Sequence, residues 1–207
     1  MAFVKNKVNL PANDGMPAAQ GCLADMLKQL SAPESGARRA AVRDLAAYPE
    51  AAMALCDRLE VEGSLSVRSV IMNSLIHAGT TEVASRLVSH LRSDDAQLRN
   101  AAIEALQEMP DAVAPHMRDL LADDDSDIRI FAVNILAALR HKRAPEWLAE
   151  VIRSDSHVNV CAAAVDGLIE VGGADVIPDL EALERRFADV SFMRFAIEAA
   201  IRRIRGE

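Results

Sequence analysis

One pattern recurs six times along this chain of 207 residues, and it constrains the possible folds more than any other feature. The first four copies have a small or apolar residue, an arginine, two variable residues, an alanine or similar residue and, at the end, a leucine, and the last two copies are degenerate. The arginine position of the six copies holds Arg38, Arg68, Arg99, Arg129, Cys161 and Met193. These positions are 30, 31, 30, 32 and 32 residues apart. Such regular spacing is the signature of a repeat architecture.

Each copy predicts one amphipathic α-helix. In the third copy the apolar residues recur at steps of three and four, which marks a single buried stripe. These residues are Leu98, Ala102, Ala105, Leu106 and Met109. A second apolar stripe with helical spacing lies between copies, as at Cys22, Met26 and Leu30 before the first one. The alternation of period two that predicts strands is absent.

Stacking is required because one helix pair cannot bury its own apolar stripe, whereas a row of pairs can. We therefore predict an all-α fold, an α-solenoid of about six antiparallel helix pairs. Apolar residues make up 51% of the chain but aromatic residues only 3%, so the core must be built from small and aliphatic side chains. Residues 17–207 are predicted to form one repeat domain. Residues 1–16 stand outside the repeat and are predicted to be an extended or flexible tail.

A family resemblance rests on the third copy, which matches the signature D-x-x-V-R-x-x-A-x-x-A-L. The matching residues are Asp95-Ala-Gln-Leu-Arg-Asn-Ala-Ala-Ile-Glu-Ala-Leu106. The chain resembles the HEAT-repeat family, with short HEAT-like repeats of the phycobilisome (bilin) lyase type. The resemblance implies a right-handed superhelix in which the second helix of each pair lines the concave face. It also implies a ladder of arginine and aspartate residues between neighbouring repeats. The ladder residues are Arg68, Asp95, Arg99, Asp125 and Arg129.

The chemistry of arginine suits a ladder, because its guanidinium presents a rigid fork of donors to carboxylates or to helix-end carbonyls. Cys161 and Met193 stand in the arginine position of the last two copies. We therefore expect the ladder to lapse there and the C-terminal junction to be looser and more apolar.

The outward positions of the second helices are polar to acidic in the middle of the chain and basic at both ends. Ile130 and Phe131 interrupt them with apolar surface. This pattern suits a protein or peptide partner with a basic segment and one apolar anchor; the alternative is an ordinary solvated helix face. The predicted partner-binding residues are Asn73, His77, Glu104, Glu108, Ile130, Phe131, Asn134, Asp166 and Glu170.

Motifs that carry chemistry are absent from the sequence. None of the five histidines is followed by glutamate, which excludes H-E-x-x-H zinc sites. The run from Asp123 to Asp127 lacks the glycine at position six of a calcium loop. There is no phosphate-binding glycine loop and no nucleophile elbow. We predict no catalytic residue, no metal site and no cofactor.

The composition limits the classes of partner and the cellular compartments that we expect. The net charge of −8 opposes the neutralisation of phosphates, so nucleic acid is not an expected partner. No stretch approaches the length of a membrane span, and the N-terminus has no apolar signal region, since Lys5 and Lys7 interrupt it. Three widely separated cysteines form no disulfide framework. These features predict a cytoplasmic protein.

Three functions are compatible with the sequence. The first is a non-catalytic scaffold or adaptor that binds a protein on the concave face. The second is a bilin-lyase-like or other maturation factor that acts with a partner subunit, and it rests on the resemblance alone. The third, a DNA-repair module like the HEAT-fold alkylpurine glycosylases, requires a basic concave face, whereas Glu104 and Asp166 are acidic. The oligomeric state is left open.

Overall fold

The computed structural model describes residues 16–206, with side chains from residue 22 onward. The predicted tail therefore lies outside the described residues, apart from Met16, where the first helix begins. The described residues contain helices and turns and no β-strand. The α-helices are α1 Met16–Gln29, α2 Ser35–Leu45, α3 Ala52–Val61, α4 Leu65–Ala78, α5 Thr81–Ser89, α6 Ala96–Gln107, α7 Pro110–Val113, α8 Met117–Leu121, α9 Ser126–Ala138, α10 Ala144–Ser154, α11 Val158–Val171, α12 Ile177–Arg186 and α13 Ser191–Arg205.

The helices form six antiparallel pairs joined by short turns: α1 with α2, α3 with α4, α5 with α6, α7 and α8 with α9, α10 with α11, and α12 with α13. The second helices contact one another in chain order, and so do most of the first helices. This two-layer arrangement is the predicted α-solenoid, and the all-α fold is confirmed. In the fourth pair a 3-10 turn at Ala114–His116 separates α7 from α8, because Pro115 cannot donate a helical hydrogen bond.

The core is a row of aliphatic side chains between the two layers, as the composition predicts. Ile71, Leu75 and Leu106 are fully buried along α4 and α6. The junction between α9 and α11 is the most closely packed because it uses Gly167. A Cβ added there would stand 3.1 Å from both Ala137 Cβ and Leu148 Cδ1. Burial of one such aliphatic side chain contributes about 1.5–3 kcal/mol to the free energy of unfolding.

Several helices start and end at residues suited to that role. Asp95 accepts hydrogen bonds from two backbone N–H groups at the start of α6, and Asp125 accepts one at the start of α9. Thr80 caps α5 in the same way. Each cap is worth about 1 kcal/mol. Gly79 ends α4 with φ +58°, a left-handed conformation that favours glycine.

The sixth arginine position belongs to Arg194 rather than to Met193, so the last copy begins one residue later than we predicted. In the first four copies the arginine donates to the carbonyl oxygen six residues before it, in the bonds Arg38–Ala32, Arg68–Glu62, Arg99–Ser93 and Arg129–Asp123. Arg194 makes the same bond to Ala188 at 3.0 Å. Met193 is fully buried, as is Val160 just before Cys161.

None of the helices between residues 16 and 206 combines the length and the hydropathy that crossing a bilayer requires.

Candidate functional site

With Arg194 setting the position of α13, the outward residues of α4, α6, α9, α11 and α13 fall into four rows. The first row holds Ser66, Gln97, Asp127, Asn159 and Phe192, and the second holds Ser69, Asn100, Ile130, Ala162 and Phe195. The third row holds Asn73, Glu104, Asn134, Asp166 and Ala199, and the fourth holds His77, Glu108, Ala138, Glu170 and Arg203. These rows form the second-helix face. All their residues are exposed except Ile130, Ala162 and Ala199, which are half-buried.

Eight of the nine predicted partner-binding residues lie on the second-helix face; Phe131 does not. The Arg99 guanidinium carbon lies 5.6 Å from the centroid of the Phe131 ring, between α6 and α9. A cation above an aromatic face is stabilising, so this contact holds neighbouring repeats together. Phe131 is therefore a junction residue, and Ile130 is the apolar residue that remains on the face.

Acidic residues on the second-helix face have no internal partner. Across the second to fifth helix pairs the four rows contain no lysine or arginine. Within the described residues, no ion pair involves any of the acids on these rows, which are Glu104, Glu108, Asp127, Asp166 and Glu170. Some acids elsewhere are paired within the chain, as at Arg86, which lies 2.7 Å from both Asp57 and Glu60.

A groove between α4 and α6 gathers part of the predicted site. It encloses about 450 Å³, and the side chains of Asn73, Glu104 and Glu108 line it. Apolar side chains line much of the rest of the groove, among them Met72 and Leu65, which is 59% exposed. The remaining lining residues are polar: Arg68, Ser69, Gln97 and Gln107. The groove therefore combines an apolar interior with an acidic rim.

The other predicted residues lie apart from this groove. His77 lines a separate cavity of about 330 Å³ with Tyr48 and Ser74. Asp166 and Glu170 lie on α11, three helix pairs further along the chain than α4. The structure thus divides the predicted set into a groove cluster and a second acidic cluster.

Phe192 and Phe195 are exposed aromatic residues on the second-helix face that the sequence reasoning did not place there. Their exposed fractions are 51% and 70%. The one-residue error in the last copy hid them, since it put Arg194 where Phe195 stands in the second row. The structure identifies them as outward-facing because Met193 and Ile197, on the opposite side of α13, are fully buried.

Arginine side chains bridge two of the junctions between helix pairs at which we predicted the ladder. Arg68 donates to Asp95 at 2.7 Å. Arg129 donates to Asp155 at 2.7 and 3.3 Å, a carboxylate that the prediction did not include. These hydrogen bonds join one helix pair to the next. They are strong because both the donor and the acceptor are charged.

Arg99 differs from its neighbours because it has no carboxylate partner in the part of the chain that the structure describes. It donates to the Ser93 carbonyl at 2.7 Å, and its Nε is buried without a partner. The predicted ladder partner Asp125 caps α9 instead. The next candidate by repeat position, Asp123, is bound by Arg92.

A buried carboxylate joins the first two helix pairs. Glu62 has no exposed side-chain surface, and both its oxygens accept hydrogen bonds from Arg38 at 2.8 Å. Arg58 and the backbone N–H of Ser64 also donate to it. The Arg38 hydrogen bonds, with the backbone and Arg58 bonds, lower the pKa of Glu62 to about 2 despite the opposing effect of burial.

Two observations concern the groups that could bind a metal ion or act as a nucleophile. Among the described residues, no group of three histidine, cysteine, aspartate or glutamate side chains is arranged to hold a metal ion. Burial raises the pKa of Cys56 to about 11, so this thiol is not an activated nucleophile.

Comparisons with known proteins agree with this architecture. Residues 114–202 match the family model for HEAT repeats. The archaeal HEAT-like repeats protein from Thermococcus onnurineus NA1 has 14% identity and a TM-score of 0.49 over 90% of this chain and 88% of its own. The complex of CpcE and CpcF of phycocyanin lyase from Nostoc sp. PCC7120 has 16% identity and a TM-score of 0.36, over 97% and 100%. No curated protein matches this chain.

The HEAT match covers the fourth to sixth helix pairs, and the same helix pair continues through the first three. The bond from the arginine position to the carbonyl six residues earlier also recurs in both halves. The family match thus covers the C-terminal part of the chain, and the described residues as a whole have the fold of a HEAT-like α-solenoid.

Proposed function

We propose that this protein is a non-catalytic interaction scaffold that binds a protein or peptide partner on its second-helix face. The observation that carries the proposal is the set of exposed, unpaired acids on a face that has no lysine or arginine in its middle four helix pairs. The same acids favour a partner with a basic segment, because complementary charge steers association and excludes wrong partners.

The groove between α4 and α6 supports an apolar anchor in such a partner. Its volume of about 450 Å³ accommodates one or two large side chains, and Glu104 and Glu108 stand beside it. A side chain buried in a pocket and surrounded by polar contacts is the usual form of a binding hot spot. We propose that His77, Ile130, Asn134, Asp166 and Glu170 extend the contact surface beyond the groove.

Charge reversal tests the proposal directly. A partner is captured from a native extract, identified and purified, and its affinity is then measured for wild-type protein and for the double variant Glu104→Lys/Glu108→Lys. We expect the variant to bind at least about tenfold more weakly, with a loss that shrinks at high salt.

Glu82→Lys/Glu150→Lys is the matched control, since both glutamates are exposed on first helices and the change in net charge is the same. We expect it to bind like wild type. Equal losses in both double variants would show nonspecific attraction, and no loss in either would show that the partner binds elsewhere.

The maturation function of the bilin-lyase type stays a prediction, and co-expression with a bilin and its apoprotein tests it. Bound pigment or chromophore transfer would favour it over a simple scaffold. We also propose a cytoplasmic location, which the buried free thiols of Cys56 and Cys161 support.

A further inference from the structure

Over the last three helix pairs the second row of the second-helix face is apolar. It runs from Ile130 on α9 through Ala162 on α11 to Phe195 on α13. Phe192 lies one turn before Phe195 on the same side of α13. We infer that this apolar row binds a basic amphipathic helix of the partner, which lies across α9, α11 and α13. This inference rests on the proposed function.

The two phenylalanines indicate that the row is an interface. Their exposed fractions of 51% and 70% place them among the few large apolar side chains that the described residues leave open to solvent. A pair of aromatic residues one turn apart presents a continuous apolar surface on a helix. Apolar area of this kind on a soluble protein marks an interaction site.

A second copy stacked on the end of the solenoid does not explain the row. Such a copy would meet the edge of α13 that carries Glu198. In the two preceding pairs the same repeat position holds Val165 and Val133, and both are fully buried. Arg202 lies 4.0 Å from Glu198 on that edge. Burying this ion pair would cost solvation free energy, so the edge disfavours stacking. The phenylalanines lie on the outer face instead, where a partner crosses the second helices.

The spacing of the row suits a helix. Packed helices lie about 8–10 Å apart, and a helix rises about 1.5 Å per residue, so adjacent members of the row correspond to roughly five to seven residues of a crossing helix. Apolar residues repeated every seven positions would therefore meet Ile130, Ala162 and Phe195 in turn. The repeat of seven is also the one that keeps apolar residues on one side of a helix.

The charge of the crossing helix follows from the neighbouring rows. Asp166 and Glu170 lie on α11 beside the apolar row, are exposed, and form no ion pair within the described residues. Asp127 lies on the opposite side of the row, on α9. A helix seated on the row would therefore place its flanking residues against carboxylates over α9 and α11, where lysine or arginine complements them, whereas the fourth row on α13 carries Arg203.

A synthetic peptide tests the inference without knowledge of the natural partner. The probe is a labelled helix of about 18 leucine and lysine residues with its leucines on one stripe, and its affinity is measured by fluorescence anisotropy at about 0.15 M salt. We expect Phe192→Ser/Phe195→Ser to weaken binding by about tenfold, because this double variant removes apolar contact and leaves the charge unchanged. We also expect a scrambled peptide of the same composition to bind more weakly than the striped one.

Val61→Ser is the matched control, since Val61 is 71% exposed on α3, outside both the second-helix face and the groove. It is expected to bind the peptide like wild type, and far-ultraviolet circular dichroism checks that each variant is folded. Unchanged affinity in the phenylalanine variant overturns the inference, and so does equal binding of the scrambled peptide. A wild-type dimer that the phenylalanine variant converts to a monomer would also overturn it.

These outcomes are separate from those of the proposed function. The loss of peptide affinity in the phenylalanine variant reports on the apolar row, whereas natural-partner affinity in the Glu104→Lys/Glu108→Lys variant reports on the groove end of the face.

Discussion

Arg186 supplies, from the end of α12, the hydrogen bonds that the fifth helix pair lacks at Cys161. Its guanidinium donates to the sulfur of Cys161 at 3.2 Å and to the carbonyl oxygens of Arg153 and Asp155 at 2.9 and 2.8 Å. The Asp155 carbonyl is the one that an arginine at position 161 would bind. The ladder therefore does not lapse in the fifth pair, as we had expected, because an arginine from the next pair replaces the missing one.

Arg186→Ala should lower the free energy of unfolding by about 1–3 kcal/mol, because carbonyl groups lose their donor. Urea denaturation measures the change. Arg185→Ala is the control, since Arg185 is exposed and makes no side-chain hydrogen bond to the described residues. Cys161→Arg in the Arg186→Ala background should restore part of the loss, and equal losses at positions 185 and 186 would contradict this role.

The stability of the protein should fall in acid through Glu62. Its pKa is about 2 in the folded protein and near 4.5 when unperturbed, so the folded state binds the proton less well than the unfolded state. The contribution is complete above about pH 4.5 and disappears as the pH falls toward 2. It is on the order of 3 kcal/mol.

Denaturation of wild type and Glu62→Gln between pH 7 and pH 3 measures this contribution. The difference between the two proteins should be largest at pH 7 and shrink below about pH 4.5. A difference for Glu62→Gln that stays constant over the whole range would refute the assignment.

Gly167 and Gly36 should respond in opposite ways to substitution. Gly167→Val should destabilise the protein by about 1–3 kcal/mol, because Ala137 and Leu148 leave no room for the added atoms. Gly36→Ala should stabilise it by up to about 1 kcal/mol, because nothing lies within 4 Å of the new Cβ and the unfolded chain loses freedom. Thermal unfolding of both variants measures the two effects, and a stable Gly167→Val protein would show that α9 and α11 separate easily.

Arg129→Ala should cost more stability than Arg99→Ala. The first variant leaves the largely buried carboxylate of Asp155 without its partner, at a cost of about 2–3 kcal/mol. The second loses one carbonyl bond and the contact with Phe131, at about 1 kcal/mol. Denaturation curves rank the two. If Arg99→Ala kept wild-type stability and lost partner binding, Arg99 would be a binding residue instead.

The helix pairs could be predicted from sequence because each apolar stripe is local to one helix. The ladder could be predicted only in part, since its carboxylates stand at different offsets from the arginines. Asp95 lies four residues before Arg99, whereas Glu62 and Asp155 lie six residues before Arg68 and Cys161. A prediction that takes the same position in every repeat therefore misses Glu62 and Asp155.

Other features depend on distances between helices that no local pattern encodes. Arg186 reaches Cys161 from a different helix, 25 residues away. The groove between α4 and α6 depends on how closely two helices approach. The predicted repeat position of α13 was wrong by one residue because Met193 and Arg194 are adjacent in the sequence. Only their burial in the structure distinguishes which one faces the core.

The two kinds of junction between second helices have a mechanical consequence. Where Gly167 lets α9 and α11 touch, interlocked side chains resist sliding, whereas the groove leaves α4 and α6 with fewer contacts to break. Bending in the layer of second helices is therefore expected to be easier between the second and third helix pairs than between the fourth and fifth. A partner side chain that enters the groove would act as a wedge and set the angle between α4 and α6.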